Sequence, residues 1–117
     1  MIPDMLRIEQ RGQDGVQIVE LHGEAGAAEA WEVGAVVKRL IETHPGKLIL
    51  DMSELSFISS MALGELIHLA NEVAQYHGRI ALAAMQPRVQ QVLRLLRFER
   101  HYELYDSVEA AVAALKT

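Results

Sequence analysis

Residues 47–64, KLILDMSELSFISSMALG, constrain the fold of this chain more than any other segment. The segment begins with a short continuous apolar run at residues 48–50, which is typical of a strand buried on both faces. Residues 52–57 contain several polar side chains and are interpreted as a connecting loop. Directly after Ser59 and Ser60, apolar residues recur every three or four positions, as in an amphipathic helix. The segment therefore predicts a buried strand that leads through a loop into the start of a helix.

The predicted helix start is the first candidate functional position. A helix N-terminus exposes backbone N–H groups and the positive end of the helix dipole. Serine is a preferred N-cap, so the simplest interpretation of Ser59 or Ser60 is that one of them caps the helix. A phosphate group would also be stabilised there, because anions are favoured at helix N-termini. From these residues alone, capping is the favoured interpretation.

Composition bounds the class of protein. The 117 residues suit one domain with a hydrophobic core, and we interpret 1–117 as a single domain. A formal net charge of −5 argues against a nucleic-acid binder, and the absence of cysteine excludes a disulfide framework and thiolate zinc sites. The N-terminus does not resemble a signal peptide, and no stretch approaches the roughly 20 apolar residues of a membrane helix. We expect a cytoplasmic protein without membrane insertion and without a cofactor.

The other elements follow from the periodicity of apolar residues. Residues 11–15 have turn chemistry between two apolar runs, which predicts an antiparallel hairpin, and residues 22–26 are interpreted as a break. Strands are predicted over residues 5–10, 16–21, 48–50, 79–84 and 101–105, and helices over residues 27–43, 60–77, 87–98 and 106–115. The order β-β-α-β-α-β-α-β-α predicts an α/β fold with a mixed, mostly parallel β-sheet and about four helices.

Three details outside the central segment concern capping and surface. Trp31, the only tryptophan, lies near the first turns of the first predicted helix, and either burial in the core or exposure beside the glycine-containing break remains open. Asp106 and Glu109 resemble a capping box for the last helix. The third predicted helix has a basic face, interpreted as solvated. This face comprises Arg88, Arg94 and Arg97.

The element order and the sequence DMSELSFISSMALG together resemble the STAS domain of anti-sigma factor antagonists, over nearly the whole chain. The most specific segment of that family has the form D-L-S-x-[VL]-x-[FY]-[MILV]-D-S-[ST]-G-[LI]-G. The residues that match it in register are Asp51, Ser53, Leu55, Phe57, Ile58, Ser60, Leu63 and Gly64, with Met52 in place of leucine. Gly23 and Glu24 match a second landmark, a G-E-L-D-like turn after the second strand. The resemblance implies a STAS-like fold.

The resemblance also implies a function. In the family, a serine at the start of the central helix is phosphorylated by a GHKL-type serine kinase that is also an anti-sigma factor. The unmodified antagonist binds this kinase and frees the sigma factor, whereas the phosphorylated form dissociates. The matching phosphoacceptor here is Ser60. The partner-binding residues that the resemblance implies are Glu24, Gly26, Ser56, Ser59, Met61, Ala62, Leu63 and Glu65.

This chain departs from the family pattern beside the phosphoacceptor. Ser59 stands where the family has an acidic residue, and Gly26 stands where the G-E-L-D turn has aspartate. Both carboxylates that commonly flank the phosphoacceptor are therefore missing. Met61 replaces serine or threonine, and Ala62 replaces glycine. These departures support an alternative in which the domain is a constitutive STAS subunit of a transporter ATPase or of a larger signalling complex, without a phospho-switch.

Two further classes of function receive less support from the sequence. The five histidines and the serines offer material for a Ser/His pair, but there is no G-x-S-x-G elbow and no H-E-x-x-H spacing, so we expect no enzyme and no metal site. Ligand sensing at the carboxyl ends of the strands is not supported by a glycine-rich phosphate cradle. Gly23 and Gly26 are better explained as a turn that requires positive φ.

Overall fold

The computed structural model describes residues 5–116 of the chain. Residues 1–4, part of the N-terminus considered above, and residue 117 lie outside the described residues, and the interpretation of 1–117 as one domain stays a prediction. The strands are β1 (Arg7–Gln13), β2 (Val16–Ala25), β3 (Lys47–Ile58), β4 (Arg79–Ala83) and β5 (Glu103–Tyr105). The α-helices are α1 (Ala30–Thr43), α2 (Ser60–Gln75), α3 (Pro87–Leu95) and α4 (Val108–Leu115), and short 3-10 turns occupy Ala27–Glu29 and Phe98–Arg100.

The five strands form one sheet in the order β1-β2-β3-β4-β5. β1 pairs with β2 in the antiparallel sense, and the other three pairings are parallel. Each parallel pair is joined through a helix, as parallel neighbours require. The described residues thus confirm the predicted mixed, mostly parallel sheet, its four helices and their order.

The two faces of the sheet are covered by different numbers of helices. Leu48 and Leu50 of β3 point to the face that packs against α1, α2 and α3. Ile49, between them, points to the opposite face, which packs against α4. This alternation is the consequence of the two-residue period of a strand. Both faces are covered here, which explains the continuous apolar run of β3.

Three strands extend further than the sequence analysis predicts. β1 continues to Gln13, so the predicted turn at residues 11–15 is limited to residues 14 and 15. The predicted loop at residues 52–57 is wrong, because β3 continues to Ile58, and the predicted break at 22–26 is wrong, because β2 continues to Ala25. Residues 22–25 of β2 pair with residues 54–58 of β3, beyond the end of β4. We call this two-stranded part the β2–β3 extension. Its register shifts at two places, between Glu20 and His22 and between Gly23 and Glu24, so the apolar residues do not alternate regularly.

The start of the last helix also differs from the prediction. Ser107 is the N-cap of α4, and its Oγ accepts a hydrogen bond from the backbone N–H of Ala110 at 3.0 Å. The predicted capping box of Asp106 and Glu109 is therefore wrong by one residue. Serine and aspartate have similar N-cap preferences, so the sequence alone did not distinguish the two positions.

Candidate functional site

The start of α2 is held by Ser59. Its Oγ accepts a hydrogen bond from the backbone N–H of Ala62 at 3.2 Å, which makes Ser59 the N-cap. Its own backbone N–H donates to the carbonyl of Ala25 at 2.8 Å, so the helix start is tied to the end of β2. The prediction that one of the two serines caps this helix is confirmed for Ser59.

Ser60 is the first helical residue of α2, and its side chain is exposed to solvent. Only one residue, Ser59, separates it from the end of β3. Because Ser59 already satisfies one of the unpaired N–H groups of the first turn, the Ser60 hydroxyl has no capping role. This hydroxyl is therefore accessible to a partner protein or to a modifying enzyme.

The β2–β3 extension is shaped by two glycines with different roles. Gly23 has φ of 93°, and its carbonyl accepts a hydrogen bond from Ser56 Oγ at 3.1 Å. Gly26 has φ of −79°, so the prediction of positive φ is wrong for this residue. The Gly26 N–H donates to Glu29 Oε1 at 3.2 Å, and a Cβ at Gly26 would lie 2.9 Å from that oxygen. Gly26 therefore has an ordinary backbone conformation, and its N–H anchors the carboxylate of Glu29.

The partner-binding residues predicted from the resemblance do not all lie on the surface. Met61 is exposed, and Glu24 is exposed beside Phe57, its neighbour across the two strands. Ala62 and Leu63 are buried, with exposed fractions of 0% and 2%. Their side chains point into the core because the inner face of α2 packs on the sheet. The expectation that they contact a partner is therefore corrected, since their side chains are not accessible.

Three large apolar side chains are exposed near Ser60. Trp31 is 72% exposed, Phe57 is 45% exposed and Met61 is 62% exposed. We call these three residues the apolar rim. Of the two alternatives for Trp31, burial in the core or exposure, the structure therefore shows exposure. Phe57 belongs to the family pattern, but nothing in the sequence indicated that the three residues share one end of the molecule.

The packing of α1 against α2 brings the apolar rim together. A Cβ at Gly34 would collide with the carboxylate of Glu65, so these residues face each other across the two helices. Both helices run in the same direction, because each returns from the carboxyl end of a strand to begin the next parallel strand. One turn before this contact lie Trp31 on α1 and Met61 on α2. Glu65 is half-buried, one turn below the rim.

The segments that build this end of the molecule carry acidic but not basic side chains. Residues 12–37 and 48–78 contain no lysine and no arginine. Glu29, Glu32, Glu54 and Glu65 lie within four residues of a rim residue along the chain, and Glu24 pairs with Phe57 across the two strands. The segments that carry the apolar rim are therefore acidic, which favours partners with positive charge.

A second polar cluster lies on the hairpin, on a part of the sheet that α4 does not cover. Glu9, Glu20 and His22 offer ligand atoms within 4.8 Å of one another, the one such group of three among residues 5–116. Arg11 Nε donates to Glu20 Oε2 at 2.8 Å, and this bond, with a second from His22, lowers the pKa of Glu20. Arg7 Nε lies 3.3 Å from Glu9 Oε1. The arginines balance the carboxylates, so this cluster is explained as an ion-pair network.

None of the helices found in residues 5–116 combines the length and the apolar character that crossing a membrane requires.

Comparison with known proteins identifies relatives over nearly the whole chain. The family model of the STAS domain matches residues 7–111. The "Putative anti-sigma factor antagonist BtrV" of Bordetella bronchiseptica is 30% identical over 104 residues, which cover 89% of this chain and 90% of that protein. The crystal structure of an anti-sigma factor antagonist from Mycobacterium paratuberculosis matches with a TM-score of 0.89 and 22% identity, over 99% of this chain and 98% of the other.

A further solved structure represents a modified state of a relative. It is the phosphorylated form of SpoIIAA, the Bacillus cell fate determinant. It matches with a TM-score of 0.70 and 18% identity, over 94% of this chain and 98% of the other. At this identity the likeness establishes a shared fold.

Proposed function

Because the chain belongs to the STAS domain family, we propose that it is a regulatory protein-binding module of the anti-sigma factor antagonist type. In this proposal it binds an anti-sigma factor that is also a GHKL-type serine kinase, and phosphorylation of Ser60 ends the binding. It acts in the cytoplasm and catalyses no reaction. The observation that supports the proposal best is the exposed hydroxyl of Ser60, which lies beside the apolar rim while Ser59 supplies the helix cap.

The surface around Ser60 suggests the chemistry of the partner. Exposed aromatic and methionine side chains are enriched where proteins bind one another, because they bury large apolar areas. The surrounding carboxylates attract a basic surface and repel an acidic one. We therefore expect the partner to present an apolar centre flanked by lysine or arginine.

Phosphorylation would act on this interface through desolvation. A phosphoserine carries roughly −1.5 to −2 charges at neutral pH. At the first residue of a helix this charge does not disturb the domain, because helix N-termini stabilise anions. A partner whose apolar surface covers Trp31 and Met61 would have to strip water from the phosphate. The switch is therefore a local change in the free energy of binding, and the fold is kept.

The residues that replace the family carboxylates have structural roles that are compatible with a switch. Ser59 uses its side chain as the N-cap, and Gly26 receives Glu29 at close distance. Glu29 thereby places one carboxylate near the position where the family has aspartate. The phosphorylated form of SpoIIAA is a property of that relative, and it supports the same modification here as a proposal.

The direct test is intact-mass measurement after incubation with ATP and the GHKL-type kinase encoded closest to this gene. We expect one phosphate on the unmodified chain and on Ser59→Ala, and none on Ser60→Ala. Partner binding should be retained by Ser60→Ala and weakened at least about tenfold by Ser60→Asp, which corresponds to about 1.4 kcal/mol. A phosphate that persists in Ser60→Ala would contradict the proposal. No phosphate, with a transporter ATPase as the main co-purified protein, would favour the constitutive subunit instead.

A further inference from the structure

A second exposed apolar surface lies at the end of α3. Leu95 is 83% exposed and Leu96 is 50% exposed, although both are large apolar residues. Their neighbours Leu93 and Phe98 occupy the core, and Arg97, two residues after the end of α3, has φ of 55°. Gln91, Arg94 and Leu95 form one nearly flat, exposed surface of α3. The end of α3 thus presents an exposed leucine surface beside Arg94.

This surface is basic, in contrast to the rest of the chain. Residues 88–100 contain four arginines and one glutamate, whereas the chain as a whole has a formal net charge of −5. The arginines, all exposed, are Arg88, Arg94, Arg97 and Arg100. We call Arg94, Leu95, Leu96 and Arg97 the basic end. Its charge is opposite to that of the segments around the apolar rim.

The basic end and the apolar rim lie at opposite ends of the sheet. The apolar rim lies where β3 ends and α2 begins. α3 follows β4 and returns to begin the parallel strand β5, so its last turn lies toward the amino ends of the strands. The molecule is elongated, with a longest extent of 43 Å. One copy therefore carries two exposed apolar surfaces, one among acidic residues and one among arginines. They lie too far apart to contact each other in the same copy.

We propose that a second copy of this chain binds head to tail, with its basic end on the apolar rim of the first. Trp31 is exposed at one end and Leu95 at the other, so the indole ring of one copy can pack on the leucine surface of the next. Arg94 beside Leu95 can lie over the indole ring, a favourable cation–π arrangement. The carboxylates around the rim face the arginines of the second copy. This inference concerns self-association and requires neither a kinase nor a phosphate.

Head-to-tail contacts of this kind have two consequences. They join different surfaces, so they produce rings or open chains, and a closed two-fold dimer is not expected. Each contact also covers the Ser60 side of one copy, so self-association competes with any partner that binds there. The two surfaces are small compared with the interface of a stable dimer, so association should appear only at high protein concentration.

The first test is sedimentation velocity of the full chain from about 10 µM to about 1 mM. At about 0.05 M salt we expect the weight-average mass to rise with concentration above 13.0 kDa. At about 0.5 M salt the increase should be smaller, because screening weakens the attraction between exposed charges. A mass that stays at that of one chain at every concentration and both salt levels would overturn the proposal.

Two single substitutions test whether the apolar rim and the basic end are the surfaces that contact each other. Trp31→Ser removes the rim contact and Leu95→Ser removes the basic-end contact, so each variant alone should sediment as one chain. An equimolar mixture should form dimers but no larger species, because each variant retains one intact surface. If either variant alone assembled to the same mass as the unmodified chain does, the proposed pairing would be refuted. A mixture that stays monomeric would also refute it.

A charge variant provides the matched control. Arg94→Ser and Arg39→Ser each remove one exposed arginine, but only Arg94 belongs to the basic end. We expect the dissociation constant of self-association to rise several-fold for Arg94→Ser and to stay unchanged for Arg39→Ser. Equal effects would indicate that net charge alone governs assembly, against the proposal. Leu95→Ser leaves Ser60 intact, so phosphorylation of this variant reports on the proposed function independently.

Discussion

The five-stranded part of the sheet and the β2–β3 extension are built from the same two central strands, but their backbones pair differently. In the five-stranded part, residues 47–51 of β3 pair without interruption with residues 79–83 of β4. In the extension, β3 has only β2 as a partner, and the register shifts twice. The comparison teaches that regular pairing accompanies the packed core, whereas the irregular pairing occurs where the candidate site lies.

The side chains of the two regions differ in the same sense. Leu48, Ile49 and Leu50 have exposed fractions of 0% to 1%, and helices cover both faces of the sheet around them. In the extension, Phe57 is 45% exposed and lies at the same end as Trp31 and Met61. The centre of the five-stranded part is therefore buried on both faces, whereas the extension combines buried residues such as Leu55 with exposed ones such as Phe57. The predictions below are substitutions that test this difference.

The largest effect is expected in the five-stranded part. Leu50→Ala should reduce the free energy of unfolding by about 2–5 kcal/mol, because it removes apolar contacts and leaves a cavity between the sheet and α1 and α2. Met61→Ala should change it by less than about 0.5 kcal/mol, since Met61 is exposed. Urea denaturation followed by circular dichroism measures both. A loss for Met61→Ala comparable to that for Leu50→Ala would show that the apolar rim contributes to stability as much as the core does.

The regular region could be predicted from the sequence because it follows simple periods. The continuous run Leu48–Leu50 predicts a strand covered on both faces, and the three- and four-residue spacing after Ser60 predicts α2. Both signals arise because the buried positions of a strand or a helix are apolar and recur in the pattern of that element. The alternation of strands and helices then predicts a mostly parallel sheet, and the structure confirms it.

The extension could not be predicted from the same signals. Register shifts beside His22 and Gly23 break the alternation of buried and exposed residues, so polar Ser53 and Glu54 resembled a loop. The apolar rim depends on the packing of α1 beside α2, a tertiary contact with no local signature. The family pattern predicted Ser60 as the phosphoacceptor, which stays a prediction. It also assigned partner contacts to Ala62 and Leu63, whose side chains are buried in the core.

The second largest effect is expected at the glycine of the extension. Gly23 has φ of 93°, a conformation that an L-residue adopts only with strain, so Gly23→Ala should destabilise the chain by about 1–3 kcal/mol. Gly12→Ala on β1 is the control, because a Cβ there meets no atom within 4 Å and φ is not positive. Thermal unfolding compares the two variants. Equal shifts in the melting temperature would mean that backbone strain does not distinguish Gly23.

The third prediction separates the two serines at the start of α2. Ser59→Ala removes the N-cap and should reduce the free energy of unfolding by about 1 kcal/mol. Ser60→Ala should change it by less than about 0.5 kcal/mol, because the hydroxyl of Ser60 is exposed. Chemical denaturation of both variants is the measurement. A larger loss for Ser60→Ala would assign the capping role to Ser60 and remove the reason for calling its hydroxyl accessible.

The smallest effect is expected at the edge of the five-stranded part, where β5 is only three residues long. Arg79 donates to both oxygens of Glu103, from Nη2 at 2.6 Å and from Nε at 2.9 Å. These hydrogen bonds, with a further one from Tyr105, lower the pKa of Glu103. The carboxylate therefore contributes stability above the pKa of a free glutamate, about 4.3, and this contribution is lost as the pH falls through the lowered pKa.

Because this ion pair is partly exposed, Glu103→Gln should reduce the free energy of unfolding at pH 7 by less than about 1 kcal/mol. The difference between the variant and the unmodified chain should narrow as the pH falls below about 4. A double-mutant cycle with Arg79→Gln isolates the pair, since Arg79 also donates to the carbonyl of Ala114 at 3.1 Å. A difference that is constant from pH 7 to pH 2 would show that the charge of Glu103 does not stabilise β5.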